Sequence, residues 1–251
     1  MTRLFFILLF LTTQSAFAIT NIESQRLNNA EPGTSGNISF TLDGEVGDSD
    51  EFTLGSAITF IRSYAHDEWI VLLDREYSEI DDEVNTDETL LHIRHLTKHS
   101  DNWGHEVFTQ YEEDLFSDLA KRIILGAGVR YTLNADTKLK TANHFGVGAF
   151  YEDEEYAATI LEDNEQNVRL NLYWAYRNKL ADNMTYTSTL YFQPDVEDFA
   201  DDKGLWQNAV TISVTSTISL SVIWNVSHDT KAPDGSEDTE LNYKSIIIYN
   251  F

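Results

Sequence analysis

Cysteine is absent from the sequence, which excludes disulfide bridges, thiolate metal sites and a cysteine nucleophile. Basic residues are scarce: 17 Lys and Arg stand against 42 Asp and Glu, giving a net charge of −25. A chain this acidic has no general attraction for nucleic acid or for an anionic membrane surface. Beyond the first 18 residues the sequence also lacks a long hydrophobic run, so we expect no membrane-spanning helix there.

The first 18 residues have the pattern of a secretory signal peptide. Arg3 precedes an apolar stretch at residues 4–11, and Ala16-Phe17-Ala18 supplies an A-x-A cleavage site. The apolar stretch is shorter than the about 20 residues that a membrane-spanning helix needs. We therefore expect cleavage after Ala18 and export of the remaining chain.

From residue 36 onward, apolar and polar residues alternate in segments of about ten to fourteen residues, separated by turn signals. This period of two predicts twelve β-strands. The predicted strands cover residues 36–46, 52–64, 68–80, 88–98, 103–114, 121–133, 138–152, 167–179, 184–195, 205–214, 219–230 and 239–251. Short turns alternate with longer acidic loops between them, as the periplasmic turns and external loops of outer-membrane barrels do.

Strands at this spacing fit either a soluble sandwich or an outer-membrane barrel. The barrel is favoured because one face of nearly every strand is apolar and because aromatic residues lie mostly near strand ends, where a membrane-interface girdle would be. These aromatic residues are Trp69, Trp103, Trp174, Tyr176, Trp206, Trp224 and Tyr249. The sequence thus predicts an all-β fold, a single monomeric twelve-stranded antiparallel transmembrane β-barrel over residues 36–251. Residues 19–35 are predicted to be a periplasmic lead-in that packs against the barrel or into its mouth.

The last segment has an alternating character, with Tyr249 and Phe251 on the face that also carries Leu241, Tyr243 and Ile247. A final Phe preceded by aromatic or aliphatic residues at every second position resembles the last strand of outer-membrane barrels. In that group of proteins the segment is the signal read by the barrel-insertion machinery. The resemblance implies that Tyr249 and Phe251 form an assembly signal, that the insertion machinery is a partner, and that the protein resides in the outer membrane of a Gram-negative cell.

Three further segments carry a resemblance to a known family. They are Asn-Ile-Glu-Ser-Gln-Arg-Leu at residues 21–27, Ile-Leu-Gly-Ala-Gly-Val-Arg-Tyr at 124–131, and Leu-Tyr-Phe-Gln-Pro at 190–194 followed by Asp198 and Phe199. They are similar to segments of the YdiY-type salt-induced outer-membrane proteins, the family catalogued as domain of unknown function 481. The resemblance covers nearly all of the predicted mature chain. It implies an outer-membrane β-barrel and carries no established catalytic residues.

The polar face of each predicted strand supplies candidate lumen residues that carry charge. These are Asp74, Glu76, His92, Arg94, Glu106, Glu112, Arg122, Arg130, Lys140, Arg169 and Arg177. Pairing the predicted strands as hairpins places Asp74 near Arg94, Glu76 near His92, and Glu112 near Arg122. Such side chains either form a packed salt-bridge network that fills a narrow barrel or line a pore with separate acidic and basic walls.

Two pairs of glycines lie on the lumen face of neighbouring predicted strands, Gly126 with Gly128 and Gly146 with Gly148. No helix follows them, so they are not a dinucleotide-binding motif. Glycines within strands allow tight curvature or the close approach of another chain segment. The lead-in is one such segment, and the glycines could leave room for it as a plug.

No residue set predicts catalysis, a cofactor site or a metal site. Ser227 and His228 are adjacent, so on a strand they face opposite sides and cannot act together. The acidic external loops are either solvated or bind divalent cations such as Ca²⁺ or Mg²⁺, which also bridge outer-leaflet lipopolysaccharide. Membrane lipid and lipopolysaccharide are the expected surroundings.

The function that the sequence favours is a passive pore for small solutes or ions. A polar lumen face and twelve strands support it, since about eight strands already leave an interior that side chains just fill. Acidic loops at the mouth should favour cations. The alternative is a non-conducting structural or stress-related envelope protein with cation-binding loops, and a barrel hydrolase is the least favoured.

Overall fold

The structure, a computed structural model, describes residues 19–23, 32–45, 51–81, 83–114, 119–136, 141–156, 164–231 and 238–251. Twelve strands form one closed barrel in which each strand pairs antiparallel with its sequence neighbours and β1 pairs with β12. The predicted fold class is therefore confirmed. The predicted signal peptide and Lys140 lie outside the described residues.

The strands follow one another around the barrel in sequence order. They are β1 (Gly33–Glu45), β2 (Glu51–Ser63), β3 (Asp67–Ile80), β4 (Glu83–Lys98), β5 (Trp103–Asp114), β6 (Leu119–Asp136), β7 (Thr141–Tyr156), β8 (Glu165–Ala181), β9 (Met184–Pro194), β10 (Asp202–Ser213), β11 (Ile218–Asp229) and β12 (Thr239–Asn250). The described residues contain no helix long and apolar enough to cross a bilayer.

Side chains alternate between the outer surface and the lumen, as the sequence pattern predicts. On β12, Leu241, Tyr243 and Ile247 are exposed on the outer face, and Asn242 and Lys244 point to the other side and are less exposed. The large exposed side chains of the other strands are mostly apolar as well. The barrel thus turns a mostly apolar surface outward and carries its buried charged side chains on the lumen face.

Several strands are longer than the sequence pattern predicts. β6 begins two residues before its predicted start and β7 ends four residues after its predicted end, and in this part of the hairpin Lys121 pairs with Glu155 at 2.5 Å. β4 begins at Glu83, five residues before the predicted start, so the β3–β4 connection is a tight turn and not one of the longer loops. Asp81 in this turn has a φ of 53°. We call the barrel end that carries the β3–β4 and β7–β8 connections the loop end, and the opposite end the turn end.

Barrel closure occurs over a short ladder. Residues 37–40 of β1 pair with residues 247–250 of β12, whereas β1 pairs with β2 along its whole length. Phe251 extends the ladder by one residue: its backbone N–H donates to the Gly36 carbonyl and the Gly36 N–H donates to the Phe251 carbonyl, both at 3.0 Å. Closure therefore depends on the end of β12.

Candidate functional site

Residues 19–23 lie inside the barrel, and we call them the plug segment. Ile19 packs against Tyr173, Tyr191 and Leu205 of β8–β10. Ile22 is fully buried in a separate cluster on β2–β4, which is made of Ala57, Ile61, Ile70, Leu72 and Leu90. Since β8–β10 and β2–β4 are separate parts of the wall, the plug segment crosses the bore. Within the predicted lead-in, residues 19–23 therefore lie inside the barrel, and residues 24–31 lie outside the described residues.

Glu23 attaches the plug segment to two arginines. Its carboxylate lies 2.5 Å from Arg130 and 3.7 Å from Arg94, and all three side chains are almost completely buried. Arg94 also pairs with Glu106 at 3.3 Å. Opposite charges attract each other strongly in a low-dielectric interior. This attraction offsets the cost of removing the charges from water only when the partners are this close. Glu23 thus holds the segment by a buried ion-pair cluster.

Tyr173 completes this cluster and explains one of the predicted glycines. Its hydroxyl donates to Glu106 at 3.0 Å and accepts from Arg130 at 3.0 Å. Its ring occupies the space over Gly146, where a Cβ would overlap with it. Phe108 covers Gly126 in the same way. Gly126 and Gly146 therefore make room for aromatic side chains of neighbouring strands, whereas Gly128 and Gly148 approach backbone atoms of each other's strand. The Tyr173 ring in turn supports the residues that hold the plug segment.

A second ion-pair cluster lies near the loop end. Arg122 Nε donates to Glu152 at 2.7 Å, and Arg122 also pairs with Glu112 at 3.2 Å. Arg169 Nε donates to the other oxygen of Glu152 at 2.8 Å, and Lys203 bonds Glu154 at 3.1 Å. Every one of these side chains is nearly inaccessible to solvent. Glu152 thus bridges two arginines, and the cluster fills this part of the lumen.

The β9–β10 connection extends this cluster to the barrel mouth. Asp201 is buried and accepts a hydrogen bond from Arg169 at 2.8 Å. Lys231, which follows β11, pairs with the other oxygen of Asp201 at 2.8 Å. Burial alone would raise the pKa of Asp201, but the bonds from Arg169 and Lys231 outweigh it and hold this pKa below its ordinary value. The connection is therefore attached to the barrel wall by charge.

Two side chains join the clusters into one network. Gln110 donates to Glu112 at 3.0 Å and contacts His92 Nδ1 at 3.0 Å. His92 Nε2 accepts from Arg94 Nε at 3.4 Å. This arrangement suits the neutral Nδ1–H tautomer, because one ring nitrogen donates to Gln110 and the other accepts from Arg94. A chain of polar contacts thus runs from Glu152 near the loop end to Glu23.

Of the three predicted contacts between lumen side chains, one is present in the structure and two are not. Glu112 and Arg122 are opposite each other in the β5–β6 register and form an ion pair, so that prediction is confirmed. The predicted contact of Asp74 with Arg94 is wrong, because Asp74 faces Leu90 and Arg94 faces Ile70. These partners are four residues apart, about 14 Å along a strand. The tight β3–β4 turn causes the shift.

The same shift separates Glu76 from His92, so this predicted contact is also wrong. Glu76 faces Glu88 and bonds Lys244 Nζ at 3.0 Å.

Arg177 is partly buried on the lumen face of β8, which also carries Arg169 and Tyr173. Sequence reasoning missed the roles of Glu23, Tyr173, Glu152, Glu154, Lys203 and Asp201.

A cavity of about 130 Å³ lies in the lumen next to the plug segment. Asp74, Glu76, Glu88 and Lys244 line it together with residues 19–21. Nowhere in the part of the chain that the structure describes do three His, Asp or Glu side chains converge closely enough to ligate one metal ion. Binding of divalent cations by the external loops stays a prediction.

A closed twelve-stranded antiparallel barrel with an apolar outer surface and a charged lumen defines the class: a transmembrane β-barrel of the outer-membrane type. The sequence profile described as "Protein of unknown function, DUF481" matches residues 38–251, and the chain belongs to that family. The resemblance noted in the sequence is thereby confirmed. No curated protein sequence matches the chain.

Solved outer-membrane barrels have similar folds at low sequence identity. The NanC porin has a TM-score of 0.54 and 11% identity, over 86% of this chain and 98% of the porin. An outer-membrane channel from Pseudomonas putida F1 has a TM-score of 0.55 and 10% identity, over 92% and 98% of the two chains. The translocator domain of the autotransporter NalP from Neisseria meningitidis has a TM-score of 0.50 and 12% identity, over 91% of each chain. At such identities the likeness concerns the fold alone.

Proposed function

We propose that this protein is an outer-membrane channel for small solutes or ions whose lumen is closed by its own plug segment. The observation that carries the proposal is the position of residues 19–23 across the bore, held at Glu23 by Arg94 and Arg130. A segment that occupies the lumen through a few side chains, and is not part of the wall, can leave it without unfolding the barrel. The two similar structures named as a porin and a channel are consistent with this function.

The charges favour cations as the permeating species. The chain carries a net charge of −25, and the cavity next to the plug segment has three carboxylates against one lysine. A negative mouth raises the local concentration of cations, and salt screens this effect over about 10 Å at 0.1 M. Selectivity should therefore decrease as ionic strength rises.

Planar-bilayer recording tests the proposal. We expect the intact barrel to be closed for most of the time, and a variant lacking residues 19–23 to give discrete steps. Under a salt gradient the reversal potential of these steps should indicate cation selectivity. Barrels without the plug segment that insert and fold but remain silent would contradict a channel function.

A specific observation also favours a second candidate, a non-conducting structural protein of the envelope. The buried network from Glu152 to Arg94 and Glu106 fills much of the lumen without any residue of the plug segment. If the network alone closes the bore, deletion of residues 19–23 leaves the barrel silent. Contacts with lipopolysaccharide and divalent cations at the acidic loops would then be the functional surface, and catalysis has no place in either proposal.

A further inference from the structure

The cavity next to the plug segment carries an excess of negative charge. Glu76 faces Glu88 directly in the β3–β4 register, and Glu88 faces Asp114 in the β4–β5 register. Like charges directly opposite each other destabilise a sheet. Lys244 bonds Glu76, and among the described residues it is the only basic side chain on the cavity wall. Asp74 and Glu88 therefore lie on the same cavity wall, and the described residues of this wall supply no second basic side chain.

Asn225 gives an independent indication of a ligand. Its side chain is only 3% exposed and lies on the cavity wall, and Oδ1 has no hydrogen-bond donor among the described residues. Thr20 Oγ1, also on the wall, is buried without a partner there as well. Leaving a buried acceptor unpaired costs free energy. Carboxylate oxygens, the amide oxygen of Asn225 and the hydroxyl of Thr20 thus face a space in which the ammonium of Lys244 is the only cationic group among the described residues.

The rest of the wall has a polar part, which includes Ser39, Thr41, Ser56 and Gln207, and an apolar part, which includes Leu72, Leu90, Ile223 and Ile246. We propose that the cavity binds a primary ammonium group carried on a short alkyl chain. An ammonium offers three N–H donors and a positive charge to the carboxylates and to Asn225, and the alkyl chain contacts the apolar wall. Direct ligation of a metal ion is disfavoured, since no three acidic or histidine side chains of the described residues converge on one point.

Such an ammonium has two sources. One is a free small amine that enters the lumen. Such an amine would be a solute of the proposed channel, so this source rests on the proposed function. The other is the chain itself, because the predicted cleavage after Ala18 creates an α-ammonium at Ile19, and Ile19 lines the cavity. In both cases the same oxygens bind the same group.

Calorimetric titration of the refolded barrel that begins at Ile19 tests the proposal. The probe is butylamine at neutral pH, with butanol as a ligand that lacks the charge and tetramethylammonium as a cation that lacks N–H donors. A second preparation carries an acetylated α-amine at Ile19, which removes the chain's own ammonium and keeps the plug segment. Binding to both preparations indicates a free amine as the ligand, and binding only after acetylation indicates the α-ammonium.

Three variants locate the site, on whichever preparation binds. Glu88→Gln, Asp74→Asn and Asn225→Leu should each weaken butylamine binding by about tenfold, the loss expected for one charge-assisted hydrogen bond. Glu79→Gln is the matched control, because Glu79 lies on β3 near the loop end and bonds Tyr77, away from the cavity wall. Heat-modifiable migration identifies variants that have folded. If a variant does not fold, the comparison of butylamine, butanol and tetramethylammonium binding to the unaltered barrel still tests the proposal.

Absence of butylamine binding to both preparations would overturn the proposal, as would equal binding of butanol or tetramethylammonium. Since binding is measured without conduction, a silent barrel that binds butylamine would contradict the channel and leave the site intact. A conducting barrel that binds no butylamine would support the channel and contradict the ammonium site.

Discussion

At the scale of single residues, burial decides how much an ion pair contributes. Glu23 and Arg130 pair at 2.5 Å with side chains that are 1% and 8% exposed. Lys121 and Glu155 pair at the same distance, but their side chains are 30% and 45% exposed. Breaking a buried pair leaves an uncompensated charge in a low dielectric, whereas water solvates the partners of an exposed pair.

Glu23→Gln should therefore lower the free energy of unfolding by about 3 kcal/mol, the lower end of the range for a broken buried ion pair. The lower end applies because Arg94 keeps Glu106 as a partner. Glu155→Gln, the matched control, should change it by less than about 1 kcal/mol. Urea unfolding followed by heat-modifiable migration measures both. Equal effects of the two substitutions would show that Glu23 is not buried as described.

A second residue-scale prediction concerns Gly146. A Cβ at this position overlaps with the Tyr173 ring, which must move and give up its bonds to Glu106 and Arg130. We expect Gly146→Ala to destabilise the barrel by about 1–3 kcal/mol, as overpacking does. Gly204→Ala is the control, since its Cβ would meet its nearest neighbour, His228, at an ordinary 3.6 Å. If urea midpoints fall equally for both, the close approach of Tyr173 is not the cause.

At the scale of elements, the β1–β12 pairing is the weakest ladder of the barrel because it spans the fewest residues. Phe251 contributes two backbone hydrogen bonds to Gly36, and its ring lies close to Gly36. Deleting Phe251 should reduce the heat-modifiable fraction recovered from membranes. Phe251→Leu keeps the backbone bonds and removes the ring. A normal yield for Phe251→Leu with a low yield for the deletion would assign the effect to the ladder, and normal yields for both would contradict this role of Phe251.

Prediction from the sequence worked where it depends on the alternation of side chains. Alternation assigns Glu112 and Arg122 to the lumen, and the β5–β6 register then makes them neighbours. Alternation does not set the length of a hairpin. The acidic residues before Glu88 resemble a loop, but in the structure they continue β4 back to Glu83. The predicted pairing of Asp74 with Arg94 is wrong for this reason. The plug segment has no periodicity, so nothing in its sequence marks Glu23 as a lumen residue.

At the scale of the whole molecule, the lumen combines both arrangements that the sequence left open. Ion pairs between neighbouring strands fill the part lined by β4–β8, whereas the cavity lies along β1–β4 and β10–β12. The plug segment crosses between them, with Ile22 packed on β2–β4 and Glu23 bound to β4 and β6. Opening of the proposed channel therefore depends on release of five residues and not on rearrangement of the wall.

Accessibility of the plug segment tests this account most directly. The chain has no cysteine, so a thiol introduced as Ile22→Cys is the only one present, and Asp101→Cys in an exposed turn provides the reference. The rate of labelling by a water-soluble maleimide is measured on the folded barrel. We predict that Ile22→Cys reacts much more slowly than Asp101→Cys and that adding Glu23→Gln accelerates it. Equal rates at the two positions without Glu23→Gln would show that residues 19–23 do not occupy the lumen.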